Sequence, residues 1–113
     1  MSQIIFSNLH NCDRSEFYNI IKKNNNIITD IIDYFIKQNN NEKISICFDY
    51  IIYTYNIENF EKILIKYIGL IDMIIEYCYD SYNYDKIICS MRNKNNPLTN
   101  FDYEQLESSK IPI

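Results

Sequence analysis

Apolar side chains recur along this chain about once per helical turn. The clearest run is 27–38, where Ile27, Ile28, Ile31, Ile32, Phe35 and Ile36 fall on one stripe of a helix and Asp30, Asp33 and Lys37 take the other face. Asn26 is the N-cap that this pattern predicts. Upstream, Asp13-Arg14-Ser15-Glu16 has capping-box spacing, with Asp in place of Ser or Thr, and opens a predicted helix that carries Phe17, Ile20 and Ile21 and ends at 24–26.

After a polar run at 38–41, the spacing predicts a helix over 42–53 with Ile44, Cys47, Phe48, Ile51 and Ile52 inward. The next begins near Ile57 and turns Phe60, Ile63, Leu64 and Tyr67 inward; past Gly69 the pattern runs on through Leu70, Ile71, Ile74, Ile75 and Cys78 to about Tyr79. Residues 57–79 fit one long helix or two joined at Gly69, because a glycine inside a helix costs about 1 kcal/mol without forbidding it. A further amphipathic helix over 83–91 carries Tyr84, Ile87, Ile88 and Met91. The stretch 93–100 is polar, Pro97 excludes helical geometry just before it, and Thr99 or Asn100 caps a short helix over 102–106. Residues 108–113 read as extended and loosely held.

Isoleucine is β-branched and ordinarily favours strands, yet strict alternation is confined to short pieces such as 53–55. Burying a continuous apolar stripe contributes several kcal/mol per helix at ~25 cal/mol per Å², which outweighs a propensity penalty of a few tenths per Ile. The expected fold is therefore all-α: a compact bundle of five to seven helices or a short stack of helical hairpins. It divides into a helical domain, 1–92, and a mobile polar C-terminal tail, 93–113.

The chain also echoes itself. At an offset of 43, residues 17–36 and 60–79 share seven identities in twenty positions: Phe17/Phe60, Ile20/Ile63, Lys23/Lys66, Ile28/Ile71, Ile31/Ile74, Ile32/Ile75 and Tyr34/Tyr77. Gly69 then stands opposite Asn26, which favours a break at both points, and an acidic-Lys-Ile start recurs at Glu42, Glu61 and Asp85. Composition alone gives about two such identities, so a duplicated helix pair and chance matching of an Ile-rich chain both remain open.

Composition narrows the function classes. Ile (24), Asn (16), Tyr (11) and Lys (9) fill 60 of 113 positions and there is no Ala, Val or Trp. These four types share AT-rich codons, which suits the genome of a large DNA virus, a protist or an intracellular bacterium. A net charge of −4, two arginines and a single adjacent basic pair, Lys22-Lys23, argue against nucleic-acid binding. The apolar runs fall far short of the ~20 residues of a membrane span. Cys12, Cys47, Cys78 and Cys89 lack paired metal-ligand spacing and read as buried, reduced thiols. With no signal segment expected at the N-terminus and no Asn-x-Ser/Thr site, the expected location is the cytoplasm, that of a host cell if the source is viral.

Candidate chemistry is sparse. His10 is the only histidine, and with Cys12 it forms a His-x-Cys pair that offers two metal ligands or a base beside a thiol if further groups fold over it. Asp30, Asp33, Asp72 and Glu76 fall on expected solvent faces and do not converge. No glycine-rich phosphate loop, GxSxG, HExxH or Walker sequence is present. Tyrosine is the surplus residue: Tyr50, Tyr53 and Tyr55 form one cluster and Tyr77, Tyr79, Tyr82 and Tyr84 another. A Tyr ring gives large contact area at low entropy cost with a polar tip, so these seven are the candidate partner-binding residues, with codon bias the competing explanation.

Two resemblances bear on this. The segment Gly69-Leu70-Ile71-Asp72-Met73-Ile74-Ile75-Glu76-Tyr77 resembles the second-helix region of ankyrin-type repeats of large DNA viruses, and 26–34 resembles it more loosely. The repeat-opening Thr-Pro-Leu-His is absent, and 43 differs from the ~33-residue ankyrin period. That resemblance implies a protein-binding scaffold without catalysis. Tyr67-Ile68-Gly69-Leu70 and the apolar run after it resemble the central helix of viral apoptosis-regulator bundles, with Leu70 where that family has Arg. It implies a groove for an amphipathic helix.

The expected function is thus a non-enzymatic protein–protein interaction module without a cofactor, in the form of a viral protein that binds a host factor. The alternatives are the amphipathic-helix groove and a homo-oligomeric structural protein, of which a homodimer is the simplest case.

Overall fold

The computed structural model describes residues 5–77 and 82–108, and of Tyr77, Tyr82 and Ser108 the backbone alone. The fold is all-α. Its helices are α1 (Arg14–Lys23), α2 (Ile28–Lys37), α3 (Asn41–Tyr53), α4 (Ile57–Lys66), α5 (Ile71–Tyr77), α6 (Tyr82–Arg92) and α7 (Asn100–Ser108), with 3-10 turns at Phe6–Asn11, Asn25–Ile27 and Ile68–Leu70. The chain forms two units, residues 1–50 and 51–113, divided within the last turn of α3.

In the first unit the apolar stripe of α2 packs as its spacing predicts. Ile28, Ile31, Ile32 and Phe35 are buried, and Ile27 and Ile36 flank them half-buried. Asn26 is not the N-cap. A 3-10 turn leads into α2, the Ile27 N–H is satisfied by the Asn24 carbonyl at 3.0 Å, and no side chain caps the helix. At α1 the cap stands where expected, with Asp13 accepting the Glu16 N–H at 2.8 Å. Phe17 meets Phe35 edge to face, with ring centroids 5.5 Å apart. Helix α3 buries more of its circumference than one stripe, adding Ile46 and Tyr50 to the expected set.

In the second unit residues 57–77 form two helices, and the break does not depend on glycine. Gly69 lacks a positive φ and has open space where a Cβ would stand. The same 3-10 break occurs at Asn25–Ile27, where no glycine is present. Cys78 and Tyr79, expected to extend this helix, lie outside the described residues.

The 43-residue echo is a structural repeat. Helices α1 and α4 begin 43 residues apart, at Arg14 and Ile57, and α2 and α5 likewise at Ile28 and Ile71. Both opening helices are capped alike, Asn56 accepting the Asn59 N–H at 3.1 Å. Asn24 and Tyr67, which end them, adopt matching φ/ψ of −124°/38° and −115°/43°. Equivalent core positions are buried in both copies: Leu9/Ile52, Phe17/Phe60, Ile21/Leu64, Ile28/Ile71, Ile31/Ile74, Ile32/Ile75 and Ile44/Ile87. The recurrence extends past the expected helix pair. Asn40 and Asn83, at equivalent positions early in or just before α3 and α6, each reach back to the segment that precedes the opening helix of their own copy.

The division into units falls after Tyr50, and residues 93–108 pack within the second unit; the short helix expected there is α7, capped by Thr99. Leu98, Tyr103 and Leu106 are buried, and α7 packs against α5 and α6. Asn96 organises the approach: its two amide hydrogens go to Glu61 Oε2 at 3.0 Å and the Met91 carbonyl at 3.1 Å, while its Oδ1 accepts the Leu98 N–H at 3.0 Å and the Tyr103 hydroxyl at 3.1 Å. A polar sequence conceals this because an amide that satisfies four partners in place does not read as a core residue. Residues 109–113 lie outside the described residues.

Candidate functional site

The groups most able to carry chemistry gather in the first unit. Leu9 is buried, which seats the 3-10 turn Phe6–Asn11 and brings His10 against Tyr34 and Phe35. Lys43 donates its backbone N–H to Asn40 Oδ1 at 3.2 Å, which fixes the orientation of the Asn40 amide. Asn40 Nδ2 therefore donates to His10 Nδ1 at 2.9 Å, and His10 carries its proton on Nε2 and donates to the Tyr34 hydroxyl at 3.1 Å. Both ring nitrogens are thus engaged within the fold. Cys12, two residues on, directs its thiol to the Asn8 carbonyl at 4.0 Å. The His-x-Cys pair is not assembled into a ligand set: among the described residues no group of three or more His, Cys, Asp or Glu is placed to hold a metal.

Lys43 is the one buried charged side chain among the described residues, 1% exposed. Its ammonium donates to the Cys12 carbonyl, pairs with Glu42 at 3.0 Å and lies 5.2 Å from the centre of the Phe17 ring. Such satisfaction is what a buried ammonium requires. Cys47, one turn along α3, is buried. Desolvation pushes its thiol well above the ordinary range, and the Lys43 charge pulls the other way. The neutral thiol is therefore the form the fold prefers, which suits packing and not nucleophilic attack. Contrary to the expectation of buried thiols throughout, Cys89 is exposed and Cys12 half-buried; Cys78 lies outside the described residues.

The acidic residues do not converge. Asp30, Asp72 and Glu76 are exposed, and Asp33 is half-buried in an ion pair with Lys37 at 3.1 Å.

The tyrosines separate into different environments. Tyr50 is buried and meets Tyr18 edge to face at 5.5 Å; Tyr84 is buried against Phe60 and donates to the Leu106 carbonyl at 2.8 Å. Neither presents a ring to a partner. Tyr53 is 75% exposed, and Tyr55 is exposed with its hydroxyl at 3.2 Å from Ser90 Oγ. Tyr55 also holds a φ of 58°, in the left-handed region that favours Gly or Asn. The side chains of Tyr77 and Tyr82, and all of Tyr79, lie outside the described residues.

Four further apolar residues among those described, Ile5, Ile68, Leu70 and Phe101, are exposed and were not among the candidates; Leu70, expected in the inward pattern, lies in the 3-10 turn and faces out. The signal for Phe101 is the repeat: it stands where the two earlier opening helices carry Ser15 and Glu58. A shallow, open depression on α1 is lined by Arg14, Ser15, Tyr18 and Asn19 and contains no nucleophile–base pair. No helix among the described residues is long and apolar enough to cross a membrane. No protein-family model matches the chain, and no curated protein or solved structure matches it.

Proposed function

We propose that this chain is a non-enzymatic protein-interaction module built on a 43-residue helical repeat, and that Tyr53 and Tyr55 belong to its contact surface. The observation that carries the reading is the exposure of Tyr53 beside a Tyr55 held in a backbone conformation that a smaller residue would adopt at lower cost. The Tyr55 hydroxyl is engaged within the chain, by Ser90 Oγ and the Lys86 carbonyl, so its exposed ring is what it offers a partner. Repeat proteins commonly present extended binding surfaces, and a period of 43 with three helices lies in the class of about 40–47 residues, longer than the ankyrin unit. Engagement of His10, Lys43 and Cys47 within the fold supports a role without turnover.

In a viral setting the partner is a host protein. The test is capture from host extract by the full chain and by a Tyr53→Ser, Tyr55→Ser double variant, followed by titration of the captured protein in purified form. A saturable complex with the native chain, weakened about tenfold or more in the folded variant, supports the reading. An unchanged affinity removes these residues from the surface, and turnover of any substrate that is lost on changing His10 or Cys12 overturns the non-enzymatic reading.

A further inference from the structure

Helix α7 begins 43 residues after α4, as α4 begins 43 after α1. Its first residues repeat the same local chemistry. Thr99 stands at the cap position of Asp13 and Asn56, and its Oγ1 accepts the Asp102 N–H at 3.2 Å, while Asp102 returns a bond to the Thr99 N–H at 2.9 Å. That is a complete capping box. The buried aromatic recurs as Phe17, Phe60 and Tyr103, and the buried Ile63 has its counterpart in the buried Leu106. In the sequence, Ile111 and Ile113 stand 43 residues after Ile68 and Leu70.

One position departs from this register. Ile21 and Leu64 are both fully buried, and the third residue in their series is Glu107, whose side chain is 50% exposed. Glu107 pairs with Arg92 at 3.0 Å, and the Arg92 guanidinium lies 5.0 Å from the centre of the Tyr103 ring. Covering that position with an apolar helix, so that it became as buried as Ile21 and Leu64, would strip water from a carboxylate and a guanidinium together.

We propose that residues 99–108 are the opening helix of a third copy of the repeat, that this helix closes the second unit, and that Glu107 bars the docking of a further helix of the α5 type upon it. The inference is independent of the partner-binding reading, since it concerns only which helices add to the repeat.

The test appends a second copy of residues 71–93 directly after Ile113 of the full chain, which preserves the 43-residue register, once with Glu107 retained and once with Glu107→Leu, the residue at 64. Amide hydrogen exchange is then read in the appended helices. The expected result is exchange slowed about a hundredfold in the Glu107→Leu chain and exchange near the free-peptide rate with Glu107 in place. Protection in both chains would show that Glu107 is no barrier, and protection in neither would show that α7 is not a third opening helix; either overturns the proposal.

Discussion

The phenolic hydroxyl of Tyr84 donates to the main-chain carbonyl of Leu106 at 2.8 Å, in a buried setting and across 22 residues of sequence. It joins α6 to the last turn of α7, whose carbonyls have no partner within their own helix. Tyr84→Phe keeps the ring against Phe60 and leaves that carbonyl buried and unsatisfied. The expected cost is about 1–3 kcal/mol, read as a lower midpoint in urea unfolding of the second unit. A midpoint equal to that of the native chain would mean the bond adds nothing.

The three helix caps of the 43-residue register act alike. Asp13→Ala, Asn56→Ala and Thr99→Ala each remove the acceptor of one first-turn N–H, and each is expected to cost about 1 kcal/mol. Serine at 13 or 56 should restore most of the loss. Thermal or denaturant unfolding of the three variants measures this, and a cost confined to one of them would contradict equivalent roles.

Cys47 gives the fold a defined alkaline dependence. Burial raises its thiol above the ordinary value of about 9.0, with Lys43 opposing. Its contribution is therefore whole below that ordinary value and is lost as pH rises past it, because the unfolded chain ionises first. The stability difference between the native chain and Cys47→Ala should be constant up to about pH 9 and shrink above it. A difference that grows above pH 9 would reverse the sign. In native protein at neutral pH, Cys89 should react rapidly with a thiol reagent and Cys47 should resist.

The His10 tautomer follows from Asn40. With the Asn40 carbonyl oxygen held by the Lys43 N–H, nitrogen NMR should place the neutral ring proton on Nε2. Asn40→Asp keeps an acceptor for Lys43 and turns an oxygen to the ring, so the proton should move to Nδ1. The native chain with its proton already on Nδ1 would contradict the network.

Helical class was legible because a 3.6-residue apolar period survives an Ile-rich, codon-biased composition: the stripes of α2 and α4 and the cap at Asp13 follow from spacing. The tyrosines were not separable on the same grounds. Tyr50 and Tyr53 are three residues apart on one helix, and whether a ring is covered depends on what lies opposite, Tyr18 in one case and solvent in the other. The C-terminal segment misled for a related reason. Asn96 looks like a solvent residue in sequence, and its partners Glu61, Met91 and Tyr103 are assembled only by packing, whereas the local cap at Thr99 follows from spacing.

By itself, the order of residues determined that this chain is helical and where most helices start, because these depend on neighbours within one or two turns; the 43-residue echo it showed became a repeat only with matching caps and buried positions in the structure. Tertiary structure decided that Leu98, Tyr103 and Leu106 belong to the core, that His10 and Lys43 are consumed by internal bonds, and that Tyr53 is exposed where Tyr50 and Tyr84 are not. Those outcomes rest on contacts between residues some 15 to 35 positions apart, and a local period carries no information about which distant surface will remove a side chain from water.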